Sequence, residues 1–328
     1  MSVTNSKQSS AYPNFLVVLE LLKPITWFPP MWAFACGVIS SGVSVTENLD
    51  LLILGVIVAG PVVCGMSQAA NDWCDRHVDT INEPNRPIPS GRMPGNWGLK
   101  IALGMTVIAV VLGWQLGIWG FIATIIAALA AWAYSIEPIR LKRSGIWGPG
   151  LVGFCYEGIP WFTGAAVMLQ AFPDPKIILV AIAYAIGAHG IMTLNDFKAL
   201  KGDKALGINS LPVQLGPDKA AKIACYVMAT PQILVITLLY VWGLFIFSIF
   251  VLALLIGQII AMRRLLSDPE KFAPWYNSTG VLMFVSGMMV CALGLSQAFA
   301  QCLLMFIKIH LDGFQFFDLV WFRPVLVQ

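Results

Sequence analysis

The stretch that decides the fold is residues 101–136, which read IALGMTVIAVVLGWQLGIWGFIATIIAALAAWAYSI and contain no charged side chain. An α-helix needs about 20 mainly apolar residues to cross the hydrocarbon core of a bilayer, so this run is long enough for two helices. A strand of a membrane barrel would alternate apolar and polar residues, and this run does not alternate. The sequence therefore predicts a bundle of transmembrane helices.

Composition supports this prediction for the whole chain. Apolar residues make up 58% of the 328 positions and charged residues 11%, whereas soluble domains average about 45–50% and about 25%. The formal charge of +3 is too small to suggest nucleic-acid binding. The seven cysteines form no CxxC pair and no Cys/His metal spacing, so we expect neither disulfides nor a zinc site.

The same length criterion predicts an all-α, polytopic bundle of nine transmembrane helices, with tight turns near Gly117 and Gly243. The predicted spans are 25–45, 51–70, 98–116, 118–136, 147–169, 176–195, 222–241, 243–262 and 279–305. Residues 1–24 would form a polar N-terminal segment, and 25–305 a single transmembrane domain. The aromatic tail, residues 306–328, would either lie along the membrane interface or be poorly ordered.

The basic residues predict the orientation of the bundle. The N-terminal segment and the four long loops, 71–97, 137–146, 196–221 and 263–278, together with Lys100 and Lys222 that closely follow two of these loops, carry 17 of the 20 Lys and Arg residues. Cytoplasmic loops carry such an excess of positive charge. We therefore expect the N-terminus and all four long loops to lie in the cytoplasm.

The second span runs into a group of acidic residues, Asn71, Asp72, Asp75 and Asp79. If the helix continues, the three aspartates are spaced i, i+3 and i+7 and share one face. Carboxylates that repel each other in this way indicate a cation between them, and Mg²⁺ prefers oxygen ligands and keeps substrate phosphates in its shell. Asp72 and Asp79 are the expected direct ligands, whereas Asp75 and Asn71 would bind the metal or orient it.

A second acidic group follows the sixth span. Asn195 and Asp196 repeat the Asn-Asp pair of the second span, and Asp203 lies two helical turns further on. Both groups fall on the predicted cytoplasmic side. The pattern predicts two acidic helix ends that face each other across a cavity, with metal ligands Asp72, Asp79, Asp196 and Asp203 sharing one diphosphate.

Basic and polar residues near these groups complete the predicted site. The candidates for binding a diphosphate are Asn71, Arg76, Arg86, Lys142 and Lys198. Those for contacting the acceptor or lining the cavity are Tyr134, Tyr156, Glu157, His189 and Asn195. Alternatives stay open for many of them. The acids could form a solvated face. The basic residues could serve only to orient the protein in the membrane, and a lone histidine in a membrane helix often forms a hydrogen bond to a neighbouring helix.

These motifs resemble the UbiA superfamily of intramembrane prenyltransferases over residues 20–300. The resemblance lies in residues 71–79 and in residues 196–212, although Ala199 stands where many members carry an acid. Residues 25–30, 81–91 and 195–198 are similar to the chlorophyll synthases, and residues 73–79 and 158–164 to the bacteriochlorophyll branch.

The resemblance implies nine transmembrane helices around a cavity open to the cytoplasm and to lipid. It also implies Mg²⁺-dependent transfer of a C20 prenyl group, from geranylgeranyl or phytyl diphosphate, to the propionate carboxylate of bacteriochlorophyllide a. The membrane would then be the inner membrane of a photosynthetic bacterium. Other pigment-biosynthesis or photosystem-assembly proteins would be the expected protein partners.

Three other functions fit part of the sequence. A transporter would also carry acidic membrane residues, but here the acids cluster at helix ends, and Glu157 alone lies deep in a span. A pigment-binding structural protein would need neither the acidic groups nor the basic residues around them. A prenyltransferase could use another acceptor, such as chlorophyllide, a quinone precursor or haem, since the cavity wall decides specificity.

Overall fold

A computed structural model describes residues 12–296 of the chain. Its regular elements there are helices, and the only β-pairing in this range is an isolated bridge between Ser144 and Asn209. Seven of these helices are long and apolar enough to cross a membrane. The predicted all-α membrane bundle is confirmed, whereas the count of nine spans is not. The tail 306–328 and the end of the ninth predicted span lie outside the described residues.

The helices are numbered here in chain order. They are α1 Phe15–Leu22, α2 Phe28–Ser40, α3 Leu49–Asn82, α4 Trp97–Gln115, α5 Gly117–Ser135, α6 147–169, α7 Pro175–Asn195, α8 Leu200–Leu206, α9 Leu211–Leu215, α10 Pro217–Val241, α11 Phe245–Ser267 and α12 Pro269–Leu295. Two of the nine predicted spans, α2 and α6, are not among the seven helices long and apolar enough to cross a membrane. The α2 helix has only 13 residues, and α6 consists of three consecutive helical pieces.

Two glycines divide the longest apolar runs where the sequence predicts it. Gly117 has a φ of +82° between α4 and α5, and Gly243 has a φ of +79° between α10 and α11. Side chains with a Cβ rarely adopt such positive φ values, so glycine permits the chain to reverse within the single linking residue 116 or the three linking residues 242–244. The predicted tight turns are therefore confirmed.

The α3 helix continues 12 residues past the predicted end of its span and includes the whole first acidic group. Its 34 residues correspond to about 50 Å at 1.5 Å per residue, which exceeds the roughly 30 Å of the hydrocarbon core. The helix ends at Asn82, and Pro84 follows the cap residue Glu83. The acidic group is consequently carried by a rigid helix at one end of the bundle.

Prolines inside two helices coincide with wider turns. Residues Val58–Cys64 of α3 are a π-helix that contains Pro61, and Phe154–Gly158 of α6 are a π-helix that precedes Pro160. Proline cannot donate the backbone hydrogen bond of a regular α-helix, and a π-turn is one way for the chain to continue past it. Both wide turns face the interior of the bundle beside the candidate site described below.

Close contact between α2 and α6 depends on two glycines. A Cβ on Gly37 would lie 2.0 Å from the carbonyl oxygen of Trp161, and a Cβ on Gly164 would lie 2.2 Å from that of Phe34. Trp161 also donates a 3.0 Å hydrogen bond from its indole nitrogen to Ser40 Oγ. Membrane helices gain no hydrophobic free energy by associating in lipid, so they depend on close packing, and small residues allow this close approach.

Replacing Gly37 by alanine should therefore destabilise the bundle. The added methyl group meets backbone atoms that cannot rotate away, and overpacking of this kind costs about 1–3 kcal/mol. We expect a lower midpoint when heated detergent-solubilised protein is followed by size-exclusion chromatography. Gly104→Ala is the matched control, because a Cβ at Gly104 meets nothing within 4 Å. Equal midpoints for the two variants would contradict the close helix contact.

Candidate functional site

A cavity of about 620 Å³ opens among the helix ends that carry the two acidic groups. Ligand pockets of proteins usually measure about 300–1,000 Å³. The cavity is lined by acidic residues from both groups, by basic residues from three loops and by small apolar residues of α5 and α6. Its charged and polar lining includes Asn71, Asp75, Asp79, Glu83, Arg86, Arg140, Lys142, Arg143, Asn195, Asp196, Lys198 and Asp203. The two acidic groups, 124 positions apart in sequence, therefore share one cavity.

The first acidic group presents three residues to this cavity. Asn71, Asp75 and Asp79 line it, at spacings i, i+4 and i+8 on α3. Residues four apart lie above one another on a helix, which explains why these three share the face. Asn71 is fixed by a 3.3 Å hydrogen bond from its amide nitrogen to Ser135 Oγ at the end of α5.

The second acidic group lies where α7 gives way to shorter helices. Asp196 begins the 3₁₀ turn Asp196–Ala199, and Asp203 lies in α8. Ser210 donates a 2.8 Å hydrogen bond to Asp203 Oδ2. Burial raises the pKa of the Asp203 carboxyl, and the Ser210 hydrogen bond opposes that shift. A carboxylate buried in this way would be stabilised by a neighbouring cation.

Basic side chains pair with the first acidic group inside the cavity. Asp75 accepts a 2.8 Å bond from Arg140 and is in contact with the Lys142 ammonium. Asp79 accepts a 2.9 Å bond from Arg86. Burial lowers the pKa of Lys142, and its pairing with Asp75 opposes that shift. Each of these cations could exchange its carboxylate for a phosphate oxygen that enters the cavity.

Asp72 lies in different surroundings from those its motif suggests. Its side chain is 1% exposed, and Oδ1 accepts bonds from Lys23 at 2.7 Å and from Arg86 at 3.4 Å. Among the described residues it does not line the cavity. The spacing i, i+3, i+7 placed it on the acidic face, but it lies at the edge of that face, where Lys23 and the neighbouring wall of the bundle cover it. The structure thus presents Asp75, rather than Asp72, to the cavity beside Asp79.

The other sequence candidates divide into two sets. Tyr134, Tyr156 and Asn195 line the cavity, as do Arg86, Lys142 and Lys198. Arg76, Glu157 and His189 do not line it within the described part of the chain.

Those three have contacts or surroundings of their own. Arg76 stacks on Trp73, 4.3 Å from the ring centroid. His189 Nε2 lies 3.1 Å from the carbonyl oxygen of Ile146. Glu157 is buried at 4% exposure and follows Tyr156 of the cavity wall in the chain.

Several residues that shape the site were not predicted from the sequence, among them Arg140, Gln68 and Lys23. Arg140 pairs with Asp75, Gln68 donates a 3.2 Å hydrogen bond to the hydroxyl of Tyr156 in the cavity wall, and Lys23 holds Asp72. Gln68 lies one turn before Asn71, a spacing that could have placed it on the same face. Arg140 and Lys23 lie beside predicted spans, where basic residues that only set topology also occur, so their positions gave no distinguishing signal.

The donors in the cavity suit magnesium. Asn71, Asp75, Asp79, Asp196 and Asp203 offer hard oxygen atoms around one space. Within residues 12–296, no three carboxylate, histidine or cysteine side chains are close enough to form a complete metal site by themselves. Mg²⁺ commonly binds through one or two carboxylates plus substrate phosphates and water, so the arrangement fits an ion that is completed by a diphosphate.

The sequence of this chain is similar to those of known proteins. The chain is 62% identical to the bacteriochlorophyll synthase 33 kDa chain of Cereibacter sphaeroides, over 89% of this chain and 97% of that relative. It is 34% identical to the chloroplastic chlorophyll synthase of Oryza sativa, over 85% of this chain and 76% of that relative.

A solved structure shares the fold. A UbiA homolog from Archaeoglobus fulgidus bound to GPP and Mg²⁺ superposes with a TM-score of 0.64 at 17% identity, covering 84% of this chain and 99% of that one. The sequence profile of the UbiA prenyltransferase family matches residues 26–288, most of the chain. The chain belongs to the UbiA prenyltransferase family.

Proposed function

We propose that the protein transfers a C20 prenyl group, geranylgeranyl or phytyl, from its diphosphate to the propionate carboxylate of bacteriochlorophyllide a. The observation that supports this most is the 62% identity to a bacteriochlorophyll synthase over 97% of that relative's length. The shared cavity supports it independently, because it combines carboxylates and cations for a diphosphate with an apolar wall for a prenyl chain.

The reaction exchanges one carbon–oxygen bond for another. The bond between C1 of the prenyl group and the diphosphate oxygen breaks, and the diphosphate leaves with the electron pair. A carboxylate oxygen of the acceptor then forms the ester bond to C1. Since a propionate is already ionised at neutral pH, no protein base has to remove a proton.

The positive charges of the cavity would lower the activation barrier of the transfer by stabilising the negative charge that develops on the leaving diphosphate. Mg²⁺, when bound, supplies Lewis-acid stabilisation of the phosphate oxygens. We assign its binding to Asp75, Asp79, Asp196 and Asp203, with Asn71 as an oxygen donor beside them. Fixed cations aimed at developing charge contribute without having to reorganise. Arg86, Lys142 and Lys198 would bind the diphosphate directly.

The apolar wall would hold the prenyl chain and exclude water. Ala127, Ala131 and Val63 line the cavity away from the charged end, and a small recess beyond them shares Ala127 and Val63 with it. Water could capture the allylic cation that forms as the diphosphate leaves, so a dry wall protects the ester product. Tyr134, Tyr156 and Asn195 would contact the substrates at the boundary between the polar and apolar ends.

The proposed setting is the inner membrane of a photosynthetic bacterium. Helices α3 to α5 and α10 to α12 are among the seven apolar enough to cross a bilayer, so the protein is a multi-pass membrane protein. The excess of basic residues in the long loops favours a cytoplasmic cavity mouth. Pigment-biosynthesis or photosystem-assembly proteins stay the predicted partners.

Membranes that contain the protein should esterify bacteriochlorophyllide a when given geranylgeranyl diphosphate and Mg²⁺. Chromatography of the pigments measures the ester, and EDTA should abolish it because the diphosphate would lose its counter-ions. Undiminished ester formation in EDTA would contradict the metal-assisted mechanism. Adding chlorophyllide as a competitor, and phytyl diphosphate in place of the first donor, would define the acceptor and donor preferences.

Neutralising a cavity carboxylate should slow the reaction strongly. We expect Asp79→Asn and Asp203→Asn each to lower kcat about a hundredfold or more, as loss of a preorganised charged group does elsewhere. Asp218→Asn is the matched control, because Asp218 is an exposed acid at the start of α10. Wild-type kcat in Asp203→Asn would contradict the assignment of the second acidic group to the site.

A further inference from the structure

A chain of charged contacts leads from the N-terminal helix to the cavity. Lys23 Nζ lies 2.7 Å from Asp72 Oδ1, Arg86 lies 3.4 Å from the same oxygen, and Arg86 also lies 2.9 Å from Asp79 Oδ2. Arg86 and Asp79 line the cavity, whereas Lys23 and Asp72 lie behind them. The guanidinium of Arg86 thus contacts Asp72 behind the cavity, and it contacts two carboxylates in the cavity lining, Asp79 and, at 3.7 Å, Glu83.

Asp72 is enclosed on both of its oxygens. Oδ1 is occupied by Lys23 and Arg86, and Oδ2 is buried without a hydrogen-bond partner among the described residues. A carboxylate in this position is screened from any ion in the cavity by its own protein neighbours. Its contacts are those of an anchor for Arg86.

Lys23 is itself fixed in place. It follows α1 with a φ of +47°, and Thr26 donates hydrogen bonds to its carbonyl oxygen from both the backbone and the hydroxyl. A non-glycine residue with positive φ is held there by its surroundings at an energetic cost. Leu21 of α1 is fully buried against Ala69 and Ala70 of α3, which positions the end of α1 over Asp72.

The loop that carries Arg86 is tied to the same helix at a second point. Arg92 donates two hydrogen bonds, of 2.5 and 2.7 Å, to the carboxylate of Glu20 in α1. Met93 of the loop packs in the same cluster as Leu21. Helix α1 therefore contacts the loop through Glu20 and the anchor of Arg86 through Lys23.

We propose that Asp72, held by Lys23 of the N-terminal segment, is a positioning residue that aims Arg86 at the diphosphate and is not a metal ligand. The proposal rests on the proposed function, since it assigns Arg86 to the diphosphate of that reaction. It also gives helix α1 a role in substrate binding, although α1 contributes no residue to the cavity lining within the described range.

Asp72→Asn should weaken binding of the prenyl diphosphate without changing the need for magnesium. We expect the KM for geranylgeranyl diphosphate to rise about tenfold, the factor that corresponds to one impaired charged hydrogen bond. The acceptor KM and the Mg²⁺ concentration for half-maximal rate should change by less than about twofold. A raised Mg²⁺ requirement would overturn the proposal.

Binding measured in EDTA separates the two roles of Asp72 most directly. The probe is geranylgeranyl S-thiolodiphosphate, with the acceptor absent. A positioning role predicts that Asp72→Asn still binds it about tenfold more weakly, because the Arg86 contact does not need the metal. Equal binding by wild type and variant in EDTA would show instead that Asp72 acts through the metal, and would overturn the proposal.

Lys23→Met tests the same contacts without altering a buried side chain, since Lys23 is 25% exposed. It should raise the KM for the diphosphate as Asp72→Asn does, and Lys23→Arg should restore it. Lys100→Met is the matched control, because Lys100 is an exposed lysine that stacks on Trp97. A wild-type KM in Lys23→Met would overturn the proposal.

A double-mutant cycle with Arg86→Met completes the test. If Asp72 acts through Arg86, adding Asp72→Asn to Arg86→Met should change the KM by less than about twofold, whereas independent effects would multiply. Multiplying effects would overturn the proposal. Absence of ester formation by the wild-type protein would count against the proposed function instead, so the two failures can be distinguished.

Discussion

Charge compensation at one end of the helix bundle is the constraint on which the site depends. Carboxylates from α3 and from the segment after α7 lie buried or half-buried around one cavity, and unpaired buried charge is costly. Arg86, Arg140 and Lys142 offset the first acidic group in the structure described here. A diphosphate with divalent cations carries both signs of charge, so it can pair with the acids and the bases together. The cavity is thereby suited to this ligand in preference to a simple anion or a simple cation.

The backbone places these charges by connecting loops from distant parts of the chain. Ser144, beside Lys142, forms a bridge with Asn209, beside Ser210 and close to Asp203. Gly145 fits against the same segment so closely that a Cβ would lie 2.6 Å from the backbone nitrogen of Leu211. The base that pairs with the first acidic group and the acid of the second group are therefore connected through one contact between loops.

The sequence predicted the membrane bundle and the turns at Gly117 and Gly243, because each depends on local pattern. It predicted the meeting of the two acidic helix ends from their repeated Asn-Asp pair on one predicted side of the membrane. It did not predict helix α1 at Phe15–Leu22, which lies in a segment that looks polar overall. Nor could the sequence show which of Asp72 and Asp75 faces the cavity. Their positions on a helical face differ little, and only the tertiary neighbours Lys23 and Arg140 decide which of them faces the cavity. The assignment of metal ligands stays a proposal.

The π-turn in α3 has a consequence for the phase of this helix. Val58–Cys64 precedes Asn71, Asp75 and Asp79 in the same continuous helix, so every residue after the turn inherits its rotation. Each residue advances an α-helix by about 100°. The wider i→i+5 turn takes up about one extra residue, so if the same residues wound as a regular α-helix the acidic face would lie about that far around the axis. The wide turn thus determines which side chains of the following helix face the interior of the bundle.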